Sequence, residues 1–230
     1  MSGAPSIGNQ AGLVYFASRS FAGGDTVWCL KIESSGGLTY QWSANLGDID
    51  GSPVLRGGRL YVGNVNGDVY SIDAASGSDV YSFNTGDGPV KGFLFPDRRN
   101  QDLFFATNTR VWSVQDTGTA FATNWTWSPT GLEPEIVLYR PETDYVYVGA
   151  QDGMLYQLDF SAAPPSTACS AYPAVGSCVF VVLGDGMDHV GAPSLDIGLA
   201  PPDVSSPGKG LLSVGSESGV LYGVEVPLQP

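Results

Sequence analysis

Apolar and polar positions alternate with a period of two along most of the chain, and Gly-rich turns interrupt the alternation at short intervals. In the stretch Asp50 to Phe83 (DGSPVLRGGRLYVGNVNGDVYSIDAASGSDVYSF), three alternating segments and the start of a fourth are separated by such turns. That pattern predicts a four-stranded antiparallel meander. Apolar residues fall on both faces of it, so a single copy cannot bury its own surface and must stack on others. Stacked copies of a four-stranded sheet are the blades of a β-propeller.

The hairpin between the second and third strands recurs five times. It is read at Leu13 to Glu33, Leu60 to Asp73, Leu103 to Asp116, Val146 to Asp159 and Leu211 to Glu225. Gly67 and Gly153 stand 86 residues apart with one copy between them, a period of about 43. Extra length lies in a Pro- and Cys-bearing stretch from Ser161 to Cys178 and in Leu199 to Gly210, both expected as surface excursions.

A second signature marks the innermost strands. Gly3-Ala4-Pro5-Ser6, Gly51-Ser52-Pro53-Val54 and Gly191-Ala192-Pro193-Ser194 match one another, with Gly92-Phe93-Leu94-Phe95 and Glu135-Ile136-Val137-Leu138 in the other two copies. Pro is tolerated where a strand begins and no N–H is needed. Outer strands are expected at only four places: Thr39 to Ser43, Val80 to Asn84, Asn124 to Ser128 and Val179 to Leu183.

The expectation is an all-β propeller of about five blades, at 3–47, 48–87, 88–131, 132–184 and 185–230, the last without its outer strand. It is either an open or irregular assembly or part of a larger ring. The free blade edge invites further blades of the same protein or a strand from a protein partner.

Composition narrows the partners. Ten Lys and Arg against 23 Asp and Glu give a net charge of −13, which repels phosphate backbones and anionic membranes, so nucleic acid is not an expected partner. No apolar run is long enough to span a bilayer as a helix. Low Lys with abundant Gly, Ser, Thr, Asn and Tyr is common in exported bacterial proteins. The opening MSGAPSIG has neither a basic nor an apolar leader region. A periplasmic or extracellular location therefore requires a leader beyond this sequence.

Cys169 and Cys178 enclose SAYPAVGS, and with no further His or Cys to complete a zinc set they read as a local disulfide across a hairpin, suited to an oxidising compartment. Cys29, in VWCLKI, reads as a buried free thiol.

The segment Ser71-Ile72-Asp73-Ala74-Ala75-Ser76-Gly77-Ser78-Asp79-Val80-Tyr81 resembles the docking repeat A-x-D-x-x-x-G-x-x-x-W of the quinoprotein (pyrroloquinoline-quinone-type) propellers, with Tyr81 in place of Trp. Other copies match in part: Trp42 after Gly36-Gly37, Gln115-Asp116-Thr117-Gly118 with Trp125 or Trp127, and Leu158-Asp159 without the Gly. The resemblance implies that the aromatic packs on the neighbouring blade while Asp and Gly shape the turn. Enzymatic members use a calcium-bound quinone, an Asp base and usually a vicinal disulfide, and no Cys-Cys pair occurs here. Non-enzymatic members include an outer-membrane-assembly scaffold, and VYVGAQDGMLYQLD is similar to a repeat of type IV pilus tip adhesins. The non-enzymatic branch, without cofactor, is the expectation. A fragment of a quinone-dependent dehydrogenase or a carbohydrate-active propeller enzyme is the alternative.

Sorting charges by connection gives a candidate partner surface. Arg56, Arg59, Arg98, Arg99, Arg140 and Lys209 fall between first and second strands, six of the ten basic residues. Asp48, Asp50, Asp68, Asp87, Asp152, Asp185, Asp188 and Glu217 fall at the opposite strand ends, as do Asp25, Glu133 and Glu135, giving one acidic side able to orient a partner. Turns also collect Asp for local hydrogen bonds alone. Asp48-Ile49-Asp50-Gly51 and Asp185-Gly186-Met187-Asp188 offer hard oxygen ligands but lack the alternating set of a calcium loop, so no metal is assigned. His189, the single histidine, follows Asp188, and a structural or solvent-facing role is expected for it over acid–base catalysis. Asn124-Trp125-Thr126 matches a glycosylation sequon but lies in an expected strand.

Overall fold

The five hairpins read from the period-two alternation are pairs of strands. The computed structural model describes residues 5–8, 12–20, 24–97, 99–128, 133–140, 143–161, 164–196 and 210–228, and no helix occurs among them. The first sheet runs β1 (Ser6–Gly8), β2 (Leu13–Ala17), β3 (Val27–Ile32), β4 (Leu38–Ala44). The second runs β5 (Val54–Arg56), β6 (Arg59–Gly63), β7 (Asp68–Asp73), β8 (Tyr81–Asn84). The third contains β9 (Lys91–Pro96), β10 (Asp102–Ala106), β11 (Val111–Asp116) and β12 (Phe121–Trp127). The fourth has five strands, β13 (Leu138–Arg140), β14 (Tyr145–Gly149), β15 (Met154–Asp159), β17 (Cys178–Val182) and β16 (Ser170–Ala171). The fifth has three, β18 (Ser194–Asp196), β19 (Gly210–Gly215) and β20 (Leu221–Val226). The chain is thus an all-β propeller fold of antiparallel meander blades, and no outer strand accompanies the fifth among the described residues. By contact clustering it divides into two compact units, Met1–Pro96 with Asp116–Ala122, and Asp97–Gln115 with Thr123–Pro230.

Two features of the strands differ from expectation. The inner strand of the fourth sheet begins at Leu138, three residues after the expected Glu135. Pro134 bridges Ala150 while Leu138 opposes Tyr147, so the inner segment carries one residue more than its partner and bulges between the two contacts. The fifth sheet repeats the same slip, with Val190 opposite Ser216 and Ser194 opposite Ser213. The Gly-Ala-Pro triplet therefore precedes the strand instead of lying in it. Gly3, Ala4, Arg98, Lys209 and the excursion from Leu199 fall outside the described residues.

The disulfide between Cys169 and Cys178 is present, with a Cα–Cα distance of 4.7 Å, but it does not cross a hairpin. The cross-link holds the two cysteines side by side with the chain leaving both in the same direction. Ser170 opposes Val179 and Ala171 opposes Phe180 in a parallel pair, adding a short strand outside β17. Cys29 is buried and unbonded to other cysteines, as expected.

In the first unit a core forms between the first two sheets, from Tyr15, Val27 and Cys29 on one side and Leu60, Val62 and Ile72 on the other. What fixes the spacing is the docking segment. Asp73 Oδ1 accepts the Ser76 amide at 2.8 Å and the Ser76 hydroxyl at 2.6 Å, and Gly77 N–H donates to Asp73 O at 2.9 Å, closing the β7–β8 turn. Trp42 from β4 lies on that turn: its indole N–H donates to Ala74 O at 3.1 Å, and Tyr15 O–H donates to the same carbonyl at 3.1 Å. Gly77 has φ +70°, and a Cβ there would stand 2.5 Å from the Trp42 ring.

Tyr81, at the next Trp position, makes the corresponding contact with a different acceptor. Its hydroxyl donates to Asp116 Oδ1, Tyr61 O–H donates to Asp116 Oδ2 at 2.6 Å, and Gly118 N–H donates to Asp116 Oδ1 at 2.7 Å. Burial pushes the Asp116 carboxyl up, but the Tyr61 and Tyr81 hydroxyls, the Gly118 amide and the nearby Arg59 charge outweigh it, and the carboxyl sits below its ordinary value. In the second unit Trp127, not Trp125, plays this part: its indole N–H donates to Ser166 O at 2.9 Å in the β15–β16 connection. Trp125 instead packs on Phe104 of its own sheet, with ring centroids 6.0 Å apart.

Gly77→Ala adds a methyl against the Trp42 ring at a left-handed backbone position, and should cost about 2 kcal/mol or more in a urea denaturation measurement. Asp116→Ala takes the carboxylate from the buried Tyr61 hydroxyl and the half-buried Tyr81 hydroxyl and should cost about 2 to 3 kcal/mol. Because the Asp116 carboxyl is depressed in the fold, its contribution is complete above the ordinary carboxylate range and is lost as pH falls through the depressed value. Asp116→Asn should therefore lower stability near pH 7 and flatten the acid limb of a stability-versus-pH curve, the two proteins converging as pH falls through the depressed value.

Candidate partner-binding surface

In an antiparallel meander, the turn between second and third strands lies at the same sheet end as the connection leaving the fourth. The close approaches bear this out locally. A Cβ on Gly67 would stand 2.7 Å from Gly88 O, and one on Gly153 would stand 2.6 Å from the Gly186 carbonyl carbon. The acidic residues singled out from the sequence sit at these ends, and each is engaged in its own way.

Asp48 Oδ1 accepts both the amide and the hydroxyl of Ser20 at 2.7 Å, and the hydroxyl, then the amide, hold its carboxyl below the ordinary value. Asp50 pairs bidentately with Arg19, at 2.6 Å to Nε and 2.6 Å to Nη2, and its carboxyl is held down by that guanidinium. Arg19 lies in the β2–β3 turn, on the acidic side. Charge sorting alone gave it no role, because its partner is 31 positions away. Both carboxylates of the Asp48-Ile49-Asp50 loop are thus turned to protein donors.

The remaining aspartates mostly close turns. Asp68 accepts the side-chain amides of Asn64 at 3.0 Å and Asn84 at 2.6 Å. Asp152 accepts the Tyr156 hydroxyl and the Met154 amide. Asp185 accepts the Met187 amide at 3.0 Å. Asp87 and Asp188 are half-buried in their connections.

His189 is the point at which separate connections meet. Its Nε2 lies 3.0 Å from Glu135 Oε1, and its Nδ1 lies 3.3 Å from Glu217 Oε1. The imidazole bridges carboxylates from the segment before β13 and from the β19–β20 turn, and Glu217 N–H also donates to His189 O at 3.0 Å. Both glutamates are distant from His189 in sequence. Among the described residues no group of three or more His, Cys, Asp or Glu is arranged to hold a metal ion.

At the opposite strand ends the basic residues are largely consumed. Arg59 donates to Ser71 Oγ at 2.8 Å and Asp79 Oδ2 at 2.7 Å, and its guanidinium lies 4.7 Å from the Tyr81 ring centre. Arg99 pairs with Asp144 and lies 3.7 Å from the buried Asp97, which also accepts the Tyr139 hydroxyl at 2.5 Å. Arg140 is buried. These ends are therefore closer to neutral than the sequence count suggests. No helix among the described residues is long and apolar enough to cross a membrane.

No family model matches this sequence, and no curated protein matches it. Solved structures do. The β-propeller domain of Cps50 (Swd1) from Myceliophteria thermophila superposes with a TM-score of 0.68 at 13% identity, over 99% of this chain and 67% of that one. BamB from Moraxella catarrhalis superposes with a TM-score of 0.61 at 16% identity, over 96% of this chain and 56% of that one. The chain spans about two thirds and just over half of these two proteins, and at such identities what they share with it is the β-propeller fold.

Proposed function

We propose that the chain is a non-catalytic β-propeller scaffold of the quinoprotein-like repeat type, exported to the periplasm or beyond. It binds a protein partner, or further blades of the same protein, through its loops or through the edge of the fifth sheet. The observation that carries this reading is the edge of β20. The other sheets each have a strand outside the third strand of the meander, and β20 has none among the described residues. Ser216 N–H bonds Val220 O at 2.9 Å, so alternation along the antiparallel pair turns the N–H groups of Leu221, Gly223 and Glu225 outward. A free row of donors and acceptors is a template for strand addition.

Three further features support the reading. The contact of Trp42 with the Gly77 turn has the form that the quinoprotein-like repeat implies. The Cys169–Cys178 disulfide suits an oxidising compartment. The carboxylates of Asp48 and Asp50 serve Ser20 and Arg19, which favours a structural loop over a catalytic acid pair.

Gly223→Pro removes one outward N–H without touching the β19–β20 ladder. Affinity capture from native cell envelopes should recover a defined partner with the wild-type chain and lose it, by at least about tenfold, with Gly223→Pro or with a variant neutralising Glu217 and Asp185. Retention by all variants, or a bound-quinone absorbance accompanied by substrate turnover, would overturn the proposal.

A further inference from the structure

The repeat exposes, at the first and fifth sheets, two halves of an interface that is filled elsewhere in the chain. Between the first and second sheets, and between the fourth and fifth, facing sheet surfaces bury apolar residues. In the second sheet Leu60, Val62 and Ile72 are buried on the face toward the first. In the fifth, Leu212, Val214 and Val226 are buried on the face toward the fourth. The corresponding face of the first sheet carries Phe16, Trp28, Leu30, Ile32, Leu38 and Tyr40, by the pairing of Phe16 with Trp28, Leu30 with Tyr40 and Ile32 with Leu38. Val14, beside Leu30, is buried on this face and Phe16, Trp28 and Leu30 are half-buried, but the end nearest the β3–β4 turn is uncovered: Ile32 is 44%, Leu38 57% and Tyr40 64% exposed. The opposite face of the same sheet, with Tyr15, Val27 and Cys29, is buried against the second.

The fifth sheet shows the complementary half. Gly63, Gly149 and Gly215 occupy the same position, the end of the second strand of their meanders, on the face toward the following blade. A Cβ on Gly63 would stand 2.3 Å from Val90 Cγ1, and one on Gly149 would stand 2.3 Å from Gly191 O and 2.9 Å from Val190 Cγ1. The glycines are there because the next blade arrives. A Cβ on Gly215 would meet nothing within 4 Å, and its cross-strand neighbour Leu221 is 74% exposed.

We infer that two copies of this chain associate head to tail, the uncovered apolar end of the first-sheet face of one copy packing on the Gly215–Leu221 face of the fifth sheet of the other. The occupant follows from the repeat. The face that fills a following-blade surface in this chain is an aliphatic and aromatic sheet face, and the first sheet presents one more of that kind than the described fold covers. Ile32, Leu38 and Tyr40, neighbours across β3 and β4, put three large apolar side chains together in water, a patch of the kind that marks an interaction surface. Such an interface is heterologous, so each copy retains one free half and the association extends beyond a dimer unless the rotation closes a ring. The net charge of −13 opposes it at low salt. This inference concerns sheet faces and is independent of strand addition at β20.

The test is sedimentation velocity of the purified chain over a concentration series at low and high salt, with two variants at positions that tolerate change. Leu38→Lys places a charge on the first-sheet face, and Gly215→Arg fills open space on the fifth-sheet face. The expected result is concentration-dependent oligomers of the wild type that strengthen with salt, and at least tenfold weaker association of each variant alone. An equimolar mixture of the two should recover association, limited to a one-to-one pair, because each supplies the half that the other lacks. Thermal melts confirm that the variants fold, and Tyr40→Lys and Leu221→Glu replace any that does not. A wild type that stays monomeric throughout overturns the inference. So do oligomers that survive either substitution, and a mixture that fails to pair.

Discussion

A sheet that is apolar on both faces cannot exist alone in water, and the way each blade is fastened to the next governs most of what this chain does. The fastening is a hydrogen bond at the end of an aromatic side chain. Trp42, Tyr81 and Trp127 each project from an outer strand, bury a ring, and donate one N–H or O–H into the turn after the third strand of the adjacent meander. A ring alone would tolerate sliding; a buried donor does not, because misplacing it leaves a polar group unsatisfied. The donor therefore sets register where packing supplies most of the attraction. The acceptor differs each time: a carbonyl held by the Asp73 turn, the carboxylate of Asp116, and a carbonyl in the longer connection that also carries the disulfide.

Much of the fold was legible because it obeys two periods, two residues along a strand and about 43 along the chain. The five hairpins follow from the first, and their spacing and Gly-marked turns from the second. Four outer strands were read, and four sheets carry one among the described residues. What escaped were features whose cause lies in another blade. Asp116 reads as a turn residue of a partial docking motif. Its role as acceptor for Tyr61 and Tyr81 depends on residues 55 and 35 positions earlier. The exchange of Trp for Tyr at 81 is the one local sign, because a phenol hydroxyl can satisfy a carboxylate where an indole would meet a carbonyl. The bulge before β13 and the parallel turn of Ser170–Ala171 likewise have no period to reveal them. The first is set by the partner strand, and the second by the cross-link between Cys169 and Cys178.

The charged residues were legible as a distribution and not as a site. Counting by connection placed acids at one end of the strands and bases at the other, but Arg19 lies beside Asp50, and Asp79, Asp97 and Asp144 lie beside Arg59 and Arg99. Most of the described charges then turn out to be answered at home. Arg59 meets Asp79, Arg99 meets Asp144, Arg19 meets Asp50, and Asp68 closes on two asparagine amides. Exposed ion pairs of this kind contribute little stability and mainly hold loops in shape. Glu217 and Asp185 remain the more accessible part of the acidic set. His189 ties two of those connections together without completing a nucleophile or metal constellation.

Seen from the sheets, the polar loops and the apolar faces have different consequences for association. Loop carboxylates act at a distance and are screened by salt, so they select and orient a partner more than they hold it. The uncovered faces act only on contact and gain from salt, because screening lowers the repulsion between chains of like charge while leaving apolar burial intact. A protein with both should show opposite salt responses for its two kinds of contact: weaker capture of a basic partner through the acidic loops, and stronger stacking of blade on blade. The chain's low count of basic residues sharpens that contrast. With Arg59 and Arg99 already paired to Asp79 and Asp144, less positive charge is left to draw two copies together, and stacking rests on the exposed apolar end of the first-sheet face and the open ground beside Gly215.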